Sequence, residues 1–334
     1  MKKILTTTAA AVSLALCSFV ANAADFKPAV AYDSAGKFDK SFGQAVYENG
    51  VMKFKEQSDV DVREVVPASD AQREQSLNRL ARKGYSPILV VGFMYGSALE
   101  KVAKKYPDSQ FVIIDGVVDL PNVKSILFKE HEGSFLVGAL AAMKSKTGKV
   151  GFVGGMDIPL IRKFACGYEQ GAKFVNKEVQ VFQNMTGSTN AAWADPARGA
   201  ELAKSQFSKG ADVIFAAAGG TGNGVYQAAF DEGKYAIGVD SNQNHLHPGT
   251  MLTSMIKGVG VATVKTFKAA EKGEFTPGIQ ILGLKESAVG WALDEHNRAL
   301  VMPEMETKIA GIKSKIISGE INVHDYTSDN SCNY

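Results

Sequence analysis

Short apolar runs and amphipathic windows alternate twice along this sequence, and that doubling constrains the fold more than any other feature. In the first series, residues 28–32, 60–66, 87–91 and 110–114 are apolar runs bounded by polar or glycine-rich turns, and they read as buried strands. Amphipathic helical windows at 41–55, 71–83 and 97–105 lie between them. A helix predicted over 132–145 joins this series to a second one. There the strands are expected at 150–153, 179–184, 213–217 and 235–239, and the helices at 158–176, 196–208 and 224–232. Repeated βα alternation predicts an α/β fold, each lobe a mostly parallel sheet with helices on both faces. Two series predict two lobes. A last stretch holds strand-like 251–256, a helix running to Lys272, strand-like 278–282 and a helix near 303–318. The expected division gives 26–128 plus 252–278 to the first lobe and 129–251 plus 279–330 to the second.

The N-terminus reads as an export signal. Lys2 and Lys3 precede an apolar stretch from about Ala9 to Val20, and Ala21-Asn22-Ala23 fits a small-x-small cleavage site. The run is shorter than the roughly 20 residues that a bilayer span needs. Residues 1–23 are therefore expected to leave as a signal peptide, directing the protein to the periplasm. A lipoprotein signal ending at Cys17 fits less well, because Leu16 is large where such signals want a small residue. The whole chain carries 37 basic and 35 acidic residues. Losing Lys2 and Lys3 makes it formally neutral, which argues against nucleic acid or an anionic membrane as partner. Cys166 and Cys332 remain, either as a disulfide tying the C-terminal tail to the body or as two free thiols.

Ligands of open α/β sheets bind beyond the carboxyl ends of the strands. Three apolar runs here stop at an aspartate: Asp33 and Asp115 in the first series, Asp240 in the second. If the lobes face each other, these acceptors converge on one cleft and suit a solute rich in hydroxyl or amine donors. Each could equally cap a helix or open a turn. The segment from Asp33 to Phe42 links the first strand to the first helix. Ser41 is placed near an N-cap, and Phe42 in the first turn could stack on a planar ligand or pack into the core. Trp193 precedes a helix that Asp195 would cap and Pro196 would begin. It could complete an aromatic sandwich or serve as a staple residue. The loop from Gly219 to Gly224, including Gly220, offers close backbone approach to a ligand. It lacks the Gly-Lys-Ser/Thr ending of a P-loop.

Catalytic signatures are thin. No Gly-x-Ser-x-Gly elbow is present, His245-Leu246-His247 has no third ligand at metal spacing, and no acid–base couple stands out. A binding protein with no catalytic residues, no metal and no cofactor is expected.

Several segments together are similar to one family. Asp33…Asp39-Lys40-Ser41-Phe42, Ile113-Ile114-Asp115 and Val153-Gly154-Gly155 resemble motifs of the basic membrane protein family of ABC-transporter substrate-binding proteins, which includes purine nucleoside receptors. So do Cys166 to Ala172, Ala218 to Gly222, Gly238 to Ser241 and Leu252 to Lys257. The resemblance covers essentially the whole mature chain. It implies a hinged type I periplasmic-binding-protein fold that clamps a purine nucleoside (adenosine, guanosine or inosine) between aromatic side chains. Phe42 matches one of these, and Trp193 stands where the other is usually Phe. Asp33 and Asp115 match polar contacts, and Asp240 and Lys257 match groups near the ribose hydroxyls. Ala35 replaces a common Gly, and Asn242 a common Asp. An inner-membrane ABC permease is the implied partner, and the receptor is expected to be a monomer. Other planar or hydroxylated solutes (a nucleobase, riboflavin, a sugar) and a periplasmic enzyme acting on nucleosides are the alternatives.

Overall fold

The strand-forming runs sort into two six-stranded sheets. The computed structural model describes residues 26–33, 35–69 and 71–334; the expected signal segment, its expected cut after Ala23 and Cys17 lie outside them. The first sheet contains β1 (Ala29–Ala31), β2 (Arg63–Val65), β3 (Ile88–Val91), β4 (Phe111–Ile114), β5 (Val123–Phe128) and β11 (Gly278–Leu282). Their order is β11-β5-β4-β3-β1-β2, and every pairing is parallel. The second contains β6 (Lys149–Met156), β7 (Gln180–Gly187), β8 (Val213–Ala217), β9 (Tyr235–Asp240), β10 (Met251–Lys257) and β12 (Val289–Trp291). Its order is β12-β10-β9-β8-β6-β7, with only β12 antiparallel. Central strands such as β3, β4 and β8 are wholly buried, as continuous apolar runs in parallel sheets should be.

The doubled pattern thus folds as two lobes, but the last stretch is divided differently from the expectation. Residues 252–257 of β10 are expected in the first lobe, yet the strand pairs with β9 and β12 in the second. Conversely, residues 279–282 of β11 were given to the second lobe and pair with β5 in the first. Between them α9 (Val259–Glu271) packs on the helical segment formed by α1 (Phe42–Val46), a π-helical turn (Tyr47–Met52) and α2 (Lys53–Gln57), so it belongs to the first lobe. The chain therefore crosses between lobes three times: after Phe128, after Lys257 and between Leu282 and Val289. Strands β5 and β12 were not anticipated from sequence.

Helix α5 (Glu130–Lys144) begins at the first crossing and is buried over nearly its whole length, including the charged residues of its first turn. It lies against α6 (Pro159–Val175) at very short range. A Cβ added at Gly138 would sit 2.0 Å from the Tyr168 carbonyl oxygen, and one at Gly171 would sit 1.9 Å from that of Phe135. Only glycine permits this approach. The remaining helices are α3 (Gln72–Arg82), α4 (Gly96–Lys105), α7 (Pro196–Ser208), α8 (Gly222–Asp231) and α10 (Pro303–Ser318). Cys166 of α6 and Cys332 of the tail are disulfide-bonded, which resolves the alternative left open above. Among the described residues, no helix is long and apolar enough to cross a membrane.

Candidate functional site

A cavity with about 690 Å³ of empty space, partly open to solvent, lies between the lobes. Asp33, Phe42, Asp115, Trp193, Asp240 and Lys257 all line it. The carboxyl ends of strands from both sheets therefore meet at one place. Asp115 and Asp240 reach it by the same local device: each ends its strand at positive φ, 63° and 66°. Aspartate tolerates that left-handed conformation better than most residues with a side chain.

Two expected residues take different roles. The Ser41 hydroxyl does not cap α1. It is fully buried and donates to Asp240 Oδ2 at 2.6 Å, tying the lobes together. Asp39 does the capping instead, accepting from the backbone N–H groups of Ser41, Gly43 and Gln44 at 2.9–3.0 Å. Gly219, not Gly220, lines the cavity. Gly220 lies against the carbonyl oxygens of Trp193 and Asp39, so its place is in the seam between the lobes. That seam also holds a bond from Gln243 Nε2 to the Lys40 carbonyl at 2.5 Å and a longer one from Asn223 Nδ2 to that of Asp39.

Trp193 ends a 3₁₀ turn (Asn190–Trp193) just before α7. Asp195 caps that helix by accepting from Arg198 N at 3.0 Å, as the sequence predicts. The six-membered part of the indole lies directly over Gly155, where an added Cβ would come within 2.2 Å of Cζ3. The buried Thr221 hydroxyl fastens the turn to the glycine loop. It donates to Ala192 O at 2.8 Å and accepts from Asp195 N at 2.8 Å.

Lys257 is the cation of the cavity wall. Its Nζ lies 2.5 Å from Asp115 Oδ2 and 2.9 Å from Glu130 Oε1, within 5.2–5.6 Å of the ring centroids of Phe42, Phe128 and Phe164. Burial alone would favour its neutral form, but Asp115, Glu130 and Asp240 outweigh this and hold it ionised, well above the ordinary lysine range. Burial pushes Asp33 up to about 7, helped by the Asp39 charge and opposed by backbone N–H groups. It likewise pushes Asp240 up to about 7, against the pull of Lys257 and Ser41. Asp115 is also raised, chiefly by burial. Its second oxygen, Oδ1, is buried and has no hydrogen-bond partner among the described residues. A wall of this kind is rich in acceptors and can accept hydrogen bonds from a solute.

Sequence reasoning missed Glu130 and Phe164. Glu130 lay outside the predicted helix, and both depend on how α5 and α6 pack at the crossing. Asp39 also lines the cavity. In the sequence it stands out only as part of a motif, although a carboxylate two residues ahead of a serine at a helix start is a readable capping signal.

Residues 27–327 match the family model described as ABC transporter substrate-binding protein, PnrA-like. The CD4+ T-cell-stimulating antigen of Listeria monocytogenes is 36% identical over 322 residues, covering 90% of this chain and 88% of that one. An ABC transporter nucleoside-binding protein, BmpA, of Lactococcus lactis is 31% identical, covering 90% and 89%. Among solved structures, an ABC transporter solute-binding protein from Aeropyrum pernix superposes with a TM-score of 0.81 at 30% identity, covering 92% of this chain and 95% of the other. The chain belongs to the PnrA-like family of ABC-transporter substrate-binding proteins.

Proposed function

We propose that this protein is a periplasmic receptor that captures a purine nucleoside between its lobes and hands it unaltered to an inner-membrane permease. One observation carries the reading. The same cavity is lined by aromatic rings from both lobes, Phe42 and Trp193, and by a carboxylate-rich wall containing Asp33, Asp115 and Asp240. Two rings suit a flat base, because stacking contributes about 1–3 kcal/mol per base. The carboxylates and Lys257 suit ribose hydroxyls, which can donate to the former and accept from the latter. A sugar without a base would need only one platform. Closure around the solute would change the surface presented to the permease. The receptor acts as a monomer after loss of residues 1–23.

Native mass spectrometry of the protein as purified, followed by calorimetry with inosine, guanosine, adenosine, riboflavin and ribose, tests this. A co-purifying purine nucleoside, or binding confined to the three nucleosides, is expected. Preference for riboflavin, a free base or ribose would overturn the ligand assignment. Chromatography of inosine after incubation tests the rest: recovery of intact inosine is expected, and release of base and ribose would make the protein an enzyme.

A further inference from the structure

Behind the cavity, charged groups of alternating sign run from the cleft to the C-terminal tail. Asp115 meets Lys257 at 2.5 Å, Lys257 meets Glu130 at 2.9 Å, Glu130 meets Lys163 at 3.1 Å, and Lys163 meets Asp325 at 3.4 Å. The inner members are buried: the side chains of Glu130, Lys257 and Lys163 are 1%, 2% and 9% exposed. At the tail end Asp325, at 31%, reaches solvent. His131 Nδ1 lies 3.7 Å from Asp325 on the same side.

The elements carrying these groups are fixed independently of the charges. Glu130 opens α5 at the first crossing and Lys257 ends β10 at the second. Lys163 lies on α6, next to Phe164 of the cavity wall, and donates to the Phe128 carbonyl at 2.8 Å. The tail is held on α6 twice over. Gln170 bonds the backbone of His324 in both directions, at 2.8 and 2.9 Å, and Cys332 is bonded to Cys166. Asp325 sits between these anchors and is further set by Thr327, whose N–H and hydroxyl both donate to its Oδ1.

We infer that Glu130, backed by Lys163 and the disulfide-held Asp325, is a positioning residue that fixes the Lys257 ammonium at the cleft, making the C-terminal tail part of the binding apparatus. A lysine ammonium on a four-carbon stem has no preferred direction of its own. Asp115 alone could draw it into the first lobe. The second carboxylate, on the other side of a crossing, holds it at the boundary, where it can face a ligand. Lys163 in turn keeps Glu130 ionised: burial works against the charge, but Lys257 and Lys163 hold the carboxyl below its usual range. The loss of a buried carboxylate next to an ammonium is felt at that ammonium, because little water is present to replace it.

The test uses two readouts. The first needs no ligand: amine labelling of Lys257, followed by mass spectrometry as pH rises toward the ordinary lysine pKa of about 10.4. Wild-type Lys257 is expected to resist labelling, and Glu130→Gln to label at least about tenfold faster, as a buried charge that has lost a close partner should. Glu130→Asp, which keeps the charge but retracts it, is expected to fall between, and it decides the matter if the Gln variant does not fold. The second readout is inosine affinity in a cycle of Glu130→Gln, Lys257→Met and the double variant. Each single change is expected to weaken binding at least about tenfold, and the double no more than Lys257→Met alone. This readout rests on the nucleoside reading. Absence of inosine binding by the wild-type protein would count against that reading only, and labelling would still decide the positioning role. Wild-type labelling in both Glu130 variants, or additive losses in the cycle, would overturn it. For the tail, Asp325→Asn and Cys332→Ser are expected to raise Lys257 labelling by about two- to fivefold. Wild-type labelling in both would remove the tail from the chain.

Discussion

The two lobes share an architecture and differ in what they bring to the cavity. Each centres on parallel strands with an aspartate at positive φ closing one of them, Asp115 in the first and Asp240 in the second. Beyond that the walls diverge. The first lobe presents Asp33, Asp39 and Asp115 together with the rings of Phe42 and Phe93 and the side chains of Val91 and Met94. The second presents mainly apolar surface from Leu160, Ile161, Phe164 and Trp193, with Asp240 and Lys257 at its edge. Both halves supply apolar surface, but three of the four carboxylates come from the first and the cation from the second. A duplicated framework can thus be specialised by the residues just past its strand ends, leaving the sheets unchanged.

The sharpest way to break this comparison is Asp240→Ala, which removes the second lobe's carboxylate and its bond to Ser41. We expect nucleoside affinity to fall by about 100-fold or more, the scale of losing one partner of a buried charged contact. Calorimetric affinity equal to wild type would mean that the acceptor function belongs to the first lobe alone. Next come the rings. Trp193→Ala should weaken nucleosides by about 10- to 100-fold while leaving any residual ribose binding unaffected, since the loss is that of one stacked face. Phe42→Ala should do the same from the opposite lobe, and a much smaller effect would make the sandwich one-sided.

Gly155→Ala should cost about tenfold in affinity, because its methyl would displace the indole from its berth. Titration measured on Gly155→Ala crystals or by tryptophan fluorescence should show the ring moved. Unchanged fluorescence and affinity would mean that the berth has slack.

The pH response separates the lobes more gently. Asp33 and Asp240 are raised from 3.8 to about 7 in the folded protein. Between those values the folded state binds more protons than the unfolded one, so stability of the free protein falls as pH rises through that window. Glu130 and Asp325, which are lowered, act oppositely, but their contribution is lost only at more acidic pH. We expect the Tm of the free protein to drop by several degrees across the window, at about 2–4 °C per kcal/mol for a chain of this size. Asp33→Asn and Asp240→Asn should each flatten the slope, and a slope insensitive to both would place the responsible group elsewhere. Nucleoside affinity should move the other way and rise with pH, since ionised carboxylates are the acceptors. The smallest effect expected is for Ser41→Ala, about 1 kcal/mol of stability from a lost buried hydrogen bond.

Much of this was readable in the sequence, for local reasons. An apolar run that stops at an aspartate marks the end of a buried strand, and three such runs located the cleft through Asp33, Asp115 and Asp240. Asp195 and Pro196 placed α7, and with it Trp193. What was not readable depends on contacts between distant segments. The sequence of β10 is equally suited to either sheet, and only its pairing with β9 assigns it. Glu130 sits in a charged stretch, Lys129 to Glu132, that looks like the exposed start of a helix. Its burial follows from α5 lying on α6 through Gly138 and Gly171. Ser41 had the right residue type for a cap, but Asp39 competes better for the same N–H groups and frees the hydroxyl to reach across to Asp240.

The threefold crossing has a consequence for how such a chain comes to be folded. The first sheet is not complete until β11, ending at Leu282, is available, and the second needs β12, ending at Trp291. The disulfide waits for Cys332, two residues from the end. A chain emerging N-terminus first therefore cannot finish either half early, and both close within the last part of its length. Pairings between residues so far apart in sequence form slowly. The topology delays commitment to the native state until the late strands of both sheets are in place.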